Sequence, residues 1–343
     1  MTPARFEAIT RRYPQLRIAI IGDFCLDRYF EINPGLQETS LETKLPVHNV
    51  VNVRCQPGGA GTILNNLAAL GVGAIYPVGF CGDDGEGFEL QRALSARPGV
   101  HMDHFIQTHE RRTFTYTKPL LMHPGKVPEE LSRLDIKNWA PTRPSLQNQL
   151  ADAALAALQT SNAAILLDQV DQPDTGVVTT SVLQTIGRTT AALMLADSRR
   201  SLSGFPPAVF KMNRAEFRAL TGAAADLPLD QMKEGALALA KKNNRPVFIT
   251  LSEQGILGAA PSGEVAHVAA LPVRGAIDIV GAGDAVSANL TAALAAGAAL
   301  EEAVTLANAA ASIVIHQLGT TGTASVEQLK AICLDKTAAA TTG

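Results

Sequence analysis

The sequence has few charged and few aromatic residues, and these shortages exclude several classes of protein. Charged residues make up 18% of the 343 residues, aromatic residues make up 5%, and the formal net charge is −3. No run of lysine and arginine is present, so we expect no nucleic-acid partner, because such partners require a basic surface. No apolar stretch approaches the roughly 18 residues of a membrane span. The N-terminal segment also lacks the apolar centre of a secretory signal, so we expect no association with a membrane.

Cysteine is scarce, and several well-known motifs are missing. The four cysteines, Cys25, Cys55, Cys81 and Cys333, form no C-x-x-C pair and show no regular spacing. This pattern favours reduced thiols and predicts a cytoplasmic protein. The sequence contains no Walker A loop, no H-E-x-x-H zinc motif and no G-x-G-x-x-G fingerprint after the first strand. The missing fingerprint argues against a dinucleotide-dependent dehydrogenase.

What the sequence has in abundance is small aliphatic residues, arranged as strands that alternate with helices. Hydrophobic residues make up 46% of the chain, and the apolar run at 17–22 has the pattern of a parallel strand covered on both faces. Further along we predict helices at 146–159, 175–189 and 228–243, and strands at 163–168, 191–197, 209–213 and 246–251. This alternation indicates βαβ units. The sequence therefore predicts a single α/β domain over residues 1–343, with a mostly parallel central sheet and helices on both faces.

Two irregular segments, residues 28–56 and 103–135, interrupt this alternation. Both are polar, rich in β-branched residues and punctuated by proline or glycine, which is typical of short strands. We predict that they form one small β subdomain inserted into the main sheet. The low-complexity tail at 336–343 is expected to fray.

The most informative stretch is the loop from Asp278 to Asp284, which leads into a predicted helix. Gly281, Ala282 and Gly283 occupy the helix start, where amide groups have no partner within the helix and glycine lets a phosphate approach closely. Asp284 could accept the proton of an attacking hydroxyl while these amides stabilise charge on a transferring phosphoryl group. The alternative is a tight turn in which Asp284 only caps the helix.

A second glycine loop and two aspartates could bind a polar substrate. Gly58 and Gly59 precede a predicted helix, and their backbone could contact substrate hydroxyls or only form a tight turn. Asp23 and Asp27 follow the first strand, at the sheet edge where ligands of open α/β proteins bind. Carboxylates there can bind sugar hydroxyls, although for Asp23 we favour a role in the turn itself.

Asn213 and Glu216 follow an apolar strand and lie three residues apart. On the first turn of a helix both would face the same side, where they could orient hydrated Mg²⁺ and phosphates. The alternative is a capping box, in which Asn213 caps the helix and Glu216 reaches back. The spacing allows both.

Taken in order, these motifs resemble the signatures of the PfkB carbohydrate kinases, also called the ribokinase family. The resemblance runs from about residue 18 to residue 322, and the chain is most similar to the kinase domain of bacterial heptose-phosphate kinase/adenylyltransferases. The stretches that carry this similarity are 22–29, 57–60, 133–135, 252–255 and 307–311. The resemblance implies a ribokinase-like three-layer fold and phosphorylation by ATP of a hydroxyl on a sugar or sugar phosphate. It also implies that the β subdomain is a lid, through which two copies pair in many members.

The resemblance assigns roles to matching positions. Asp284 would be the catalytic base, and the amides of Gly281, Ala282, Gly283 and Asp284 would form the anion hole. The residues expected to bind the sugar are Asp27, Gly58, Gly59, Thr62 and Arg133. The residues expected to border the nucleotide are Asn213, Thr250, Gly255 and Asn308. Glu216 would bind Mg²⁺ through a water molecule, and a requirement for a monovalent cation is left open.

Several positions depart from the heptose-phosphate kinase pattern. Thr62 replaces an asparagine, Ile279 and Val280 replace hydroxyl residues, and residues 169–172 and 198–199 replace Tyr-Ala-Lys-Gly and Pro-Lys. These departures leave the sugar open and motivate one alternative, a catalytically silent nucleotide- or sugar-binding protein on the same fold. The cations that could meet a substrate phosphate are Arg28, Arg54, Arg111, Arg112, Lys118 and Arg133.

Overall fold

The computed structural model describes residues 1–189, 193–224 and 227–334, and within them strands and helices alternate along most of the chain. The strands are β1 (Arg17–Gly22), β2 (Phe24–Ile32), β3 (Glu38–Thr39), β4 (Pro46–Val47), β5 (Val50–Gly59), β6 (Ala74–Gly82), β7 (Phe105–Thr108), β8 (Phe114–Leu121), β9 (Glu129–Glu130), β10 (Leu134–Ile136), β11 (Ala163–Asp168), β12 (Leu193–Ser198), β13 (Val209–Asn213), β14 (Val247–Thr250), β15 (Ile256–Ala259) and β16 (Val265–Val268). The helices are α1 (Pro3–Thr10), α2 (Ala60–Ala69), α3 (Gly85–Ser95), α4 (Pro144–Thr160), α5 (Thr180–Ile186), α6 (Arg214–Thr221), α7 (Leu229–Asn243), α8 (Ala282–Ala295), α9 (Leu300–Val314) and α10 (Val326–Leu334).

A nine-stranded sheet forms the centre of the molecule. Its strand order is β16-β15-β14-β13-β12-β11-β1-β6-β7, and every pair from β14 to β7 is parallel, whereas β15 and β16 pair antiparallel at one edge. Because the strands point the same way, their carboxyl ends meet along one edge of the sheet. Ligands of open α/β sheets bind at that edge.

The two faces of this sheet are covered by separate apolar layers, as the unbroken apolar strands predict. Along β1, Ile18 and Ile20 pack into the layer that contains α2, α8 and α9. The alternate residues Ala19 and Ile21 pack into the layer that contains α4, α5 and α7. Side chains of a strand alternate between faces, so one six-residue strand contributes to both cores.

A smaller sheet covers the carboxyl edge of the main one, and we call it the lid. Its order is β10-β8-β2-β5, with β9 paired to β8. The predicted first segment, 28–56, lies within β2 and β5 and the turn between them, although both strands continue closer to the main sheet. The second segment differs from the prediction of 103–135. Residues 105–108 form β7 of the main sheet, where Phe105 packs edge-on against Phe24, and the lid strands begin only at Phe114.

One predicted helix is shorter than expected. The pattern predicts a helix over 175–189, but α5 begins at Thr180 because the preceding residues form a loop fixed by a buried carboxylate. Asp23 accepts hydrogen bonds from the backbone N–H groups of Gln169 at 2.8 Å and Val177 at 2.7 Å. These bonds hold the backbone in a non-helical path. Residues 193–197 of the predicted strand over 191–197 are observed as strand, whereas residues 191–192 and the tail at 336–343 lie outside the described residues.

Candidate active site

A cavity of about 640 Å³ lies between the carboxyl edge of the main sheet and the lid. The sheet side contributes the ends of β1, β12 and β13 together with the start of α8. The lid side contributes residues of β2, β8 and the segment that follows β9. We call it the main cavity.

The start of α8 brings unpaired amide groups to this cavity. Gly281 has a φ of 84°, and a Cβ there would lie 2.3 Å from the carbonyl oxygen of Thr321, so only glycine fits. The amides of Gly283 and Asp284 have no acceptor among the described residues, whereas the amide of Ala282 donates to Ile279 at 3.2 Å. Free amides and the helix dipole favour an anion at this point.

Asp284 is partly buried at the same helix start. Burial, followed by the nearby Asp197 carboxylate, raises the pKa of Asp284 to about 7, although Lys211 and Arg199 oppose the shift. A carboxyl group with a pKa near neutrality is suited to act as a general base. The surroundings of Asp284 therefore fit the role that the sequence predicts for it.

A buried ion pair lies against the helix start. Lys211 Nζ is 2.7 Å from Asp197 Oδ2, which also accepts a hydrogen bond from Ser287 Oγ at 2.8 Å. A Cβ on Gly283 would lie 3.1 Å from Lys211 Nζ, so the ammonium group adjoins the free amides. Burial lowers the pKa of Lys211, but the carboxylates around it, Asp197 above all, keep that pKa above its ordinary value.

Arg199 also lines this side of the main cavity. Among the described residues its side chain has no hydrogen bond or ion pair, in contrast to Lys211. Its positive charge lowers the pKa values of Asp284, Asp27 and Glu216. A cation in this position is suited to an anionic ligand that lies between these three carboxylates.

The opposite side of the cavity carries polar groups suited to a hydroxylated ligand. Asp27 is 6% exposed, and its Oδ1 lies 4.0 Å from Lys118 Nζ. Burial raises the pKa of Asp27 despite this lysine. Thr62 Oγ1 is buried without a hydrogen-bond partner among the described residues. Buried polar groups are rarely left unpaired, so Thr62 is suited to a ligand hydroxyl.

The glycine loop leaves room for the Asp27 carboxylate. A Cβ on Gly58 would lie 2.9 Å from Asp27 Oδ2, and Gly59 has a φ of 57° with the carbonyl oxygen of Asp23 only 2.6 Å from its Cβ position. Gly59 lines the main cavity, whereas Gly58 lies behind it. Arg133 lines the lid side, where it pairs with Asp135 at 2.8 Å and lies 5.1 Å from the ring centre of Tyr116.

Comparisons with known proteins identify the family of this chain. The family described as "pfkB family carbohydrate kinase" matches residues 29–327. The chain belongs to this family. Membership confirms the predicted enzyme class, a phosphotransferase that acts on a sugar hydroxyl.

Curated relatives include the bifunctional protein HldE of Gluconobacter oxydans, 31% identical over 318 residues, and that of Azorhizobium caulinodans, 30% identical over 323 residues. These alignments cover 91% and 94% of this chain but only 63% and 65% of the relatives. The chain therefore spans just under two thirds of the length of these relatives.

Solved structures share the fold. An Arabidopsis thaliana ribokinase complexed with ribose and ATP has a TM-score of 0.67 and 18% identity, over 93% of this chain and 98% of that one. Phosphofructokinase-2 from Escherichia coli in complex with substrates and products has a TM-score of 0.72 and 20% identity, with the same coverage. The ribokinase-like three-layer α/β fold is thus confirmed. Across the described parts of the chain, no helix is both long and apolar enough to cross a membrane.

Asn213 and Glu216 of this pfkB protein form the capping box that we considered as an alternative. The Asn213 amide donates to Glu216 Oε2 at 2.7 Å, and the Glu216 amide donates to Asn213 Oδ1 at 2.9 Å. Both residues also line the main cavity, and burial raises the pKa of Glu216. The helix-capping role is observed, and the predicted phosphate and Mg²⁺ roles stay compatible with it.

Three residues expected near the nucleotide lie outside the main cavity. Thr250 pairs with Asn213 across β14 and β13, so it lies beside a cavity residue. Gly255 has a φ of 86°, and a Cβ there would lie 2.0 Å from the carbonyl oxygen of Val268. Asn308 donates to the carbonyl oxygen of Ala269 at 2.9 Å. Gly255 and Asn308 therefore converge on the segment that follows β16 rather than on Asp284.

The sequence interpretation missed Lys211 and gave Asp197 no role. Lys211 is a single cation within the apolar strand Val209–Asn213, and a buried strand rarely contains lysine unless the charge is paired. The lysine within this apolar strand was therefore the sequence feature that could have indicated a buried ion pair. Its partner could not be identified from the sequence, because Asp197 and Ser287 belong to different elements.

Proposed function

We propose that the protein transfers the γ-phosphoryl group of ATP to a hydroxyl of a sugar or sugar phosphate. The observation that supports this most is the juxtaposition at the start of α8. A carboxyl group whose pKa is about 7 stands beside unpaired amides and a buried lysine. The same cavity contains Asp27 and Thr62, which are suited to an acceptor with hydroxyl groups.

In the proposed reaction Asp284 accepts the proton of the acceptor hydroxyl. The acceptor oxygen then forms a bond to the γ-phosphorus while the bond to the bridging oxygen of ADP breaks. The amides of Gly283 and Asp284 stabilise the transferring group, and Lys211 and Arg199 neutralise charge around it. Phosphoryl transfer requires positioning and electrostatic stabilisation above all, and these residues supply both.

The oxygen donors of the cavity fit Mg²⁺ that is held mainly by nucleotide phosphates. Within the described residues no group of three or more His, Cys, Asp or Glu side chains is arranged to hold a metal. Mg²⁺ usually uses one or two carboxylates, several waters and substrate phosphates, so it does not need such a cage. Glu216 is the carboxylate that we propose for it, and the ion would neutralise phosphate charge.

The lid supports a second proposal, pairing of two copies of the chain. β5 is an edge strand of the lid sheet, and its residues Val50, Val51 and Val53 are 42%, 55% and 48% exposed. An unpaired edge with exposed apolar residues is suited to pairing with another strand. A Val51→Glu variant should convert a dimer to a monomer in light scattering coupled to size exclusion. A wild-type protein that is monomeric at all concentrations would contradict the proposal.

An ADP-release assay tests the kinase proposal. Mg-ATP is supplied with a panel of sugars and sugar phosphates, and Asp284→Ala is run in parallel. We expect turnover of at least one acceptor by the wild-type protein only. ATP binding in calorimetry without turnover of any acceptor would instead favour the silent binding protein, which the departures at 62, 169–172 and 279–280 motivate. Equal turnover by the variant would refute the role of Asp284.

A further inference from the structure

We propose that a second cavity in this protein binds a small anion that carries hydroxyl groups and that this ligand regulates the kinase. The cavity has a volume of about 400 Å³ and lies between α2, the end of α3 and residues 317–323. Small-molecule sites usually enclose about 300–1,000 Å³. We call it the side cavity, and nothing in the proposed transfer reaction uses it.

Two side chains of the side cavity define the chemistry of its ligand. Asn65 is only 8% exposed, and its Oδ1 has no hydrogen-bond partner among the described residues. A buried carbonyl oxygen requires a donor, which a ligand hydroxyl supplies. Arg97 lines the same cavity, and its guanidinium has no carboxylate partner in the described parts of the chain. An arginine of this kind is suited to a phosphate or carboxylate.

Residues 317–323 separate these groups from the main cavity, and hydrogen bonds hold this segment in a defined conformation. We call this segment the wall. Gln317 Nε2 donates to the carbonyl oxygen of Thr323 at 2.7 Å, and the Thr323 amide donates back to Gln317 Oε1 at 3.0 Å. Asn66 Nδ2 also reaches the carbonyl oxygen of Gly322 at 3.4 Å. This reciprocal pair closes the segment 317–323 into a defined wall.

The wall connects the side cavity to the anion hole. Thr321 lines both cavities, and its carbonyl oxygen is the atom that a Cβ on Gly281 would meet at 2.3 Å. A ligand that moves this segment therefore moves the support of Gly281.

A hydrogen-bonded series leads from the same wall to the acceptor side. Thr320 Oγ1 donates to Gln56 Oε1 at 3.0 Å, and Gln56 Nε2 donates to the hydroxyl oxygen of Tyr29 at 3.0 Å. Lys118 Nζ lies 3.3 Å from that hydroxyl and 4.0 Å from Asp27. Contiguous contacts of this kind can carry coupling between two sites, and the coupling must be measured to be established.

Binding is tested by calorimetry on the full chain with three probes: glycerol 3-phosphate, inorganic phosphate and glycerol. We expect glycerol 3-phosphate to bind more tightly than inorganic phosphate by roughly two- to tenfold, because one hydrogen bond is added. Arg97→Ala should weaken both phosphate probes by about tenfold or more. Asn65→Leu should remove only the advantage of glycerol 3-phosphate. The matched control is Arg92→Ala, because Arg92 lies in the last turn of α3, shortly before Arg97, but stacks 5.7 Å from the Phe88 ring and does not line the side cavity.

Three results would overturn the site. The first is equal affinity of wild type, Arg97→Ala and Arg92→Ala for both phosphate probes, and the second is no binding at all to the wild type. The third is loss of glycerol 3-phosphate binding in Asp27→Asn, which would place the probe in the main cavity. Circular dichroism and thermal melts identify any variant that fails to fold, and Arg97→Lys then replaces Arg97→Ala as the test, with a smaller loss expected.

The proposal that this ligand regulates the kinase rests on the proposed kinase function, and it is tested by a separate kinetic measurement. Saturating glycerol 3-phosphate should change the KM for ATP or for the acceptor in the wild-type protein. Arg97→Ala should keep the basal rate and lose this response. By linkage, ATP must change the affinity for glycerol 3-phosphate by the same factor as the reverse. Binding without any change in either affinity would refute regulation and leave the site, whereas an inactive protein that still binds the probe would refute only the kinase.

Discussion

The two sides of the main cavity hold their charges in different ways. On the side of α8, Lys211 and Asp197 form a buried pair at 2.7 Å that Ser287 completes. On the lid side, Lys118 is 4.0 Å from Asp27, and Arg133 is an exposed residue whose one ion pair within the described residues is with its near neighbour Asp135. We call these the transfer side and the acceptor side.

Because of this difference, we expect substitutions to be tolerated less well on the transfer side than on the acceptor side. A buried pair that loses one member leaves an uncompensated charge, so the transfer side can change little without a large loss of stability. Arg133 on the acceptor side is exposed, and an exposed charge is screened by water and tolerates substitution. In the proposed reaction the transfer side is preorganised for phosphoryl transfer, while Arg133 can vary with the substrate.

The largest expected effect on the transfer side is that of Asp284→Asn. Removal of a general base typically lowers kcat by ~10²–10⁴-fold, and we expect such a loss with the fold intact by circular dichroism. In the wild type, kcat/KM should fall as the pH drops below about 7, because Asp284 of the free protein becomes protonated. A wild-type rate that stays constant well below that pH would contradict the assignment.

The same variant, Asp284→Asn, should make the protein more stable although it lowers kcat. The pKa of Asp284 is raised from 3.8 to about 7, so folding disfavours the ionised form. The resulting cost is absent below the unfolded value of 3.8 and complete above about 7. Asp284→Asn should therefore raise the melting temperature, and the gain should grow as the pH rises through this interval. A gain that is independent of pH would mean that the substitution acts through packing instead.

Lys211→Met breaks the buried pair of the transfer side. We expect a decrease of roughly 3–5 kcal/mol in the free energy of unfolding, measured by urea titration, because Asp197 is left buried and unpaired. Lys233→Ala is the control, since it breaks the exposed pair with Asp230 at 2.9 Å and should cause no measurable change. Similar stability of both variants would mean that the two pairs are equivalent and would remove the contrast.

Gly281→Ala tests the support of the anion hole, and Gly275→Ala is its matched control. Both glycines have positive φ, 84° and 81°, so alanine costs roughly 1–2 kcal/mol at either position. Only Gly281 has a backbone atom, the Thr321 oxygen, within 4 Å of its Cβ position; Gly275 has open space. We therefore expect an equal cost from the positive φ, but an additional loss of stability and a selective loss of kcat in Gly281→Ala, because its Cβ meets the Thr321 oxygen. An equal kcat in the two variants would mean that the packing of Gly281 against Thr321 does not affect catalysis.

How much the sequence could predict also differs between regions. Asp284 and the glycines before it lie together in one stretch, and the structure places them at a helix start that lines the main cavity. Lys211 was missed because its partner Asp197 lies on another strand, 14 residues away, and Ser287, which donates to Asp197, is 90 residues from that aspartate. Nothing local to a strand reveals such contacts. The helix predicted over 175–189 is too long for a similar reason. Asp23 reaches across 154 residues to bind the Val177 amide, and this tertiary contact outweighs local helix propensity.

The smallest effect is expected on the acceptor side, from Arg133→Ala. We expect the KM for the acceptor to rise by roughly two- to tenfold, which corresponds to the loss of one hydrogen bond, with kcat nearly unchanged. Stability should change by less than about 0.5 kcal/mol, because Arg133 is exposed and, in the part of the chain that the structure describes, forms an ion pair only with its near neighbour Asp135. Lys126→Ala is the control, since Lys126 is an exposed residue of the same part of the chain and does not line the main cavity. A fall in kcat as large as that of the transfer-side variants would mean that Arg133 acts in the transfer step, and the division between the two sides would fail.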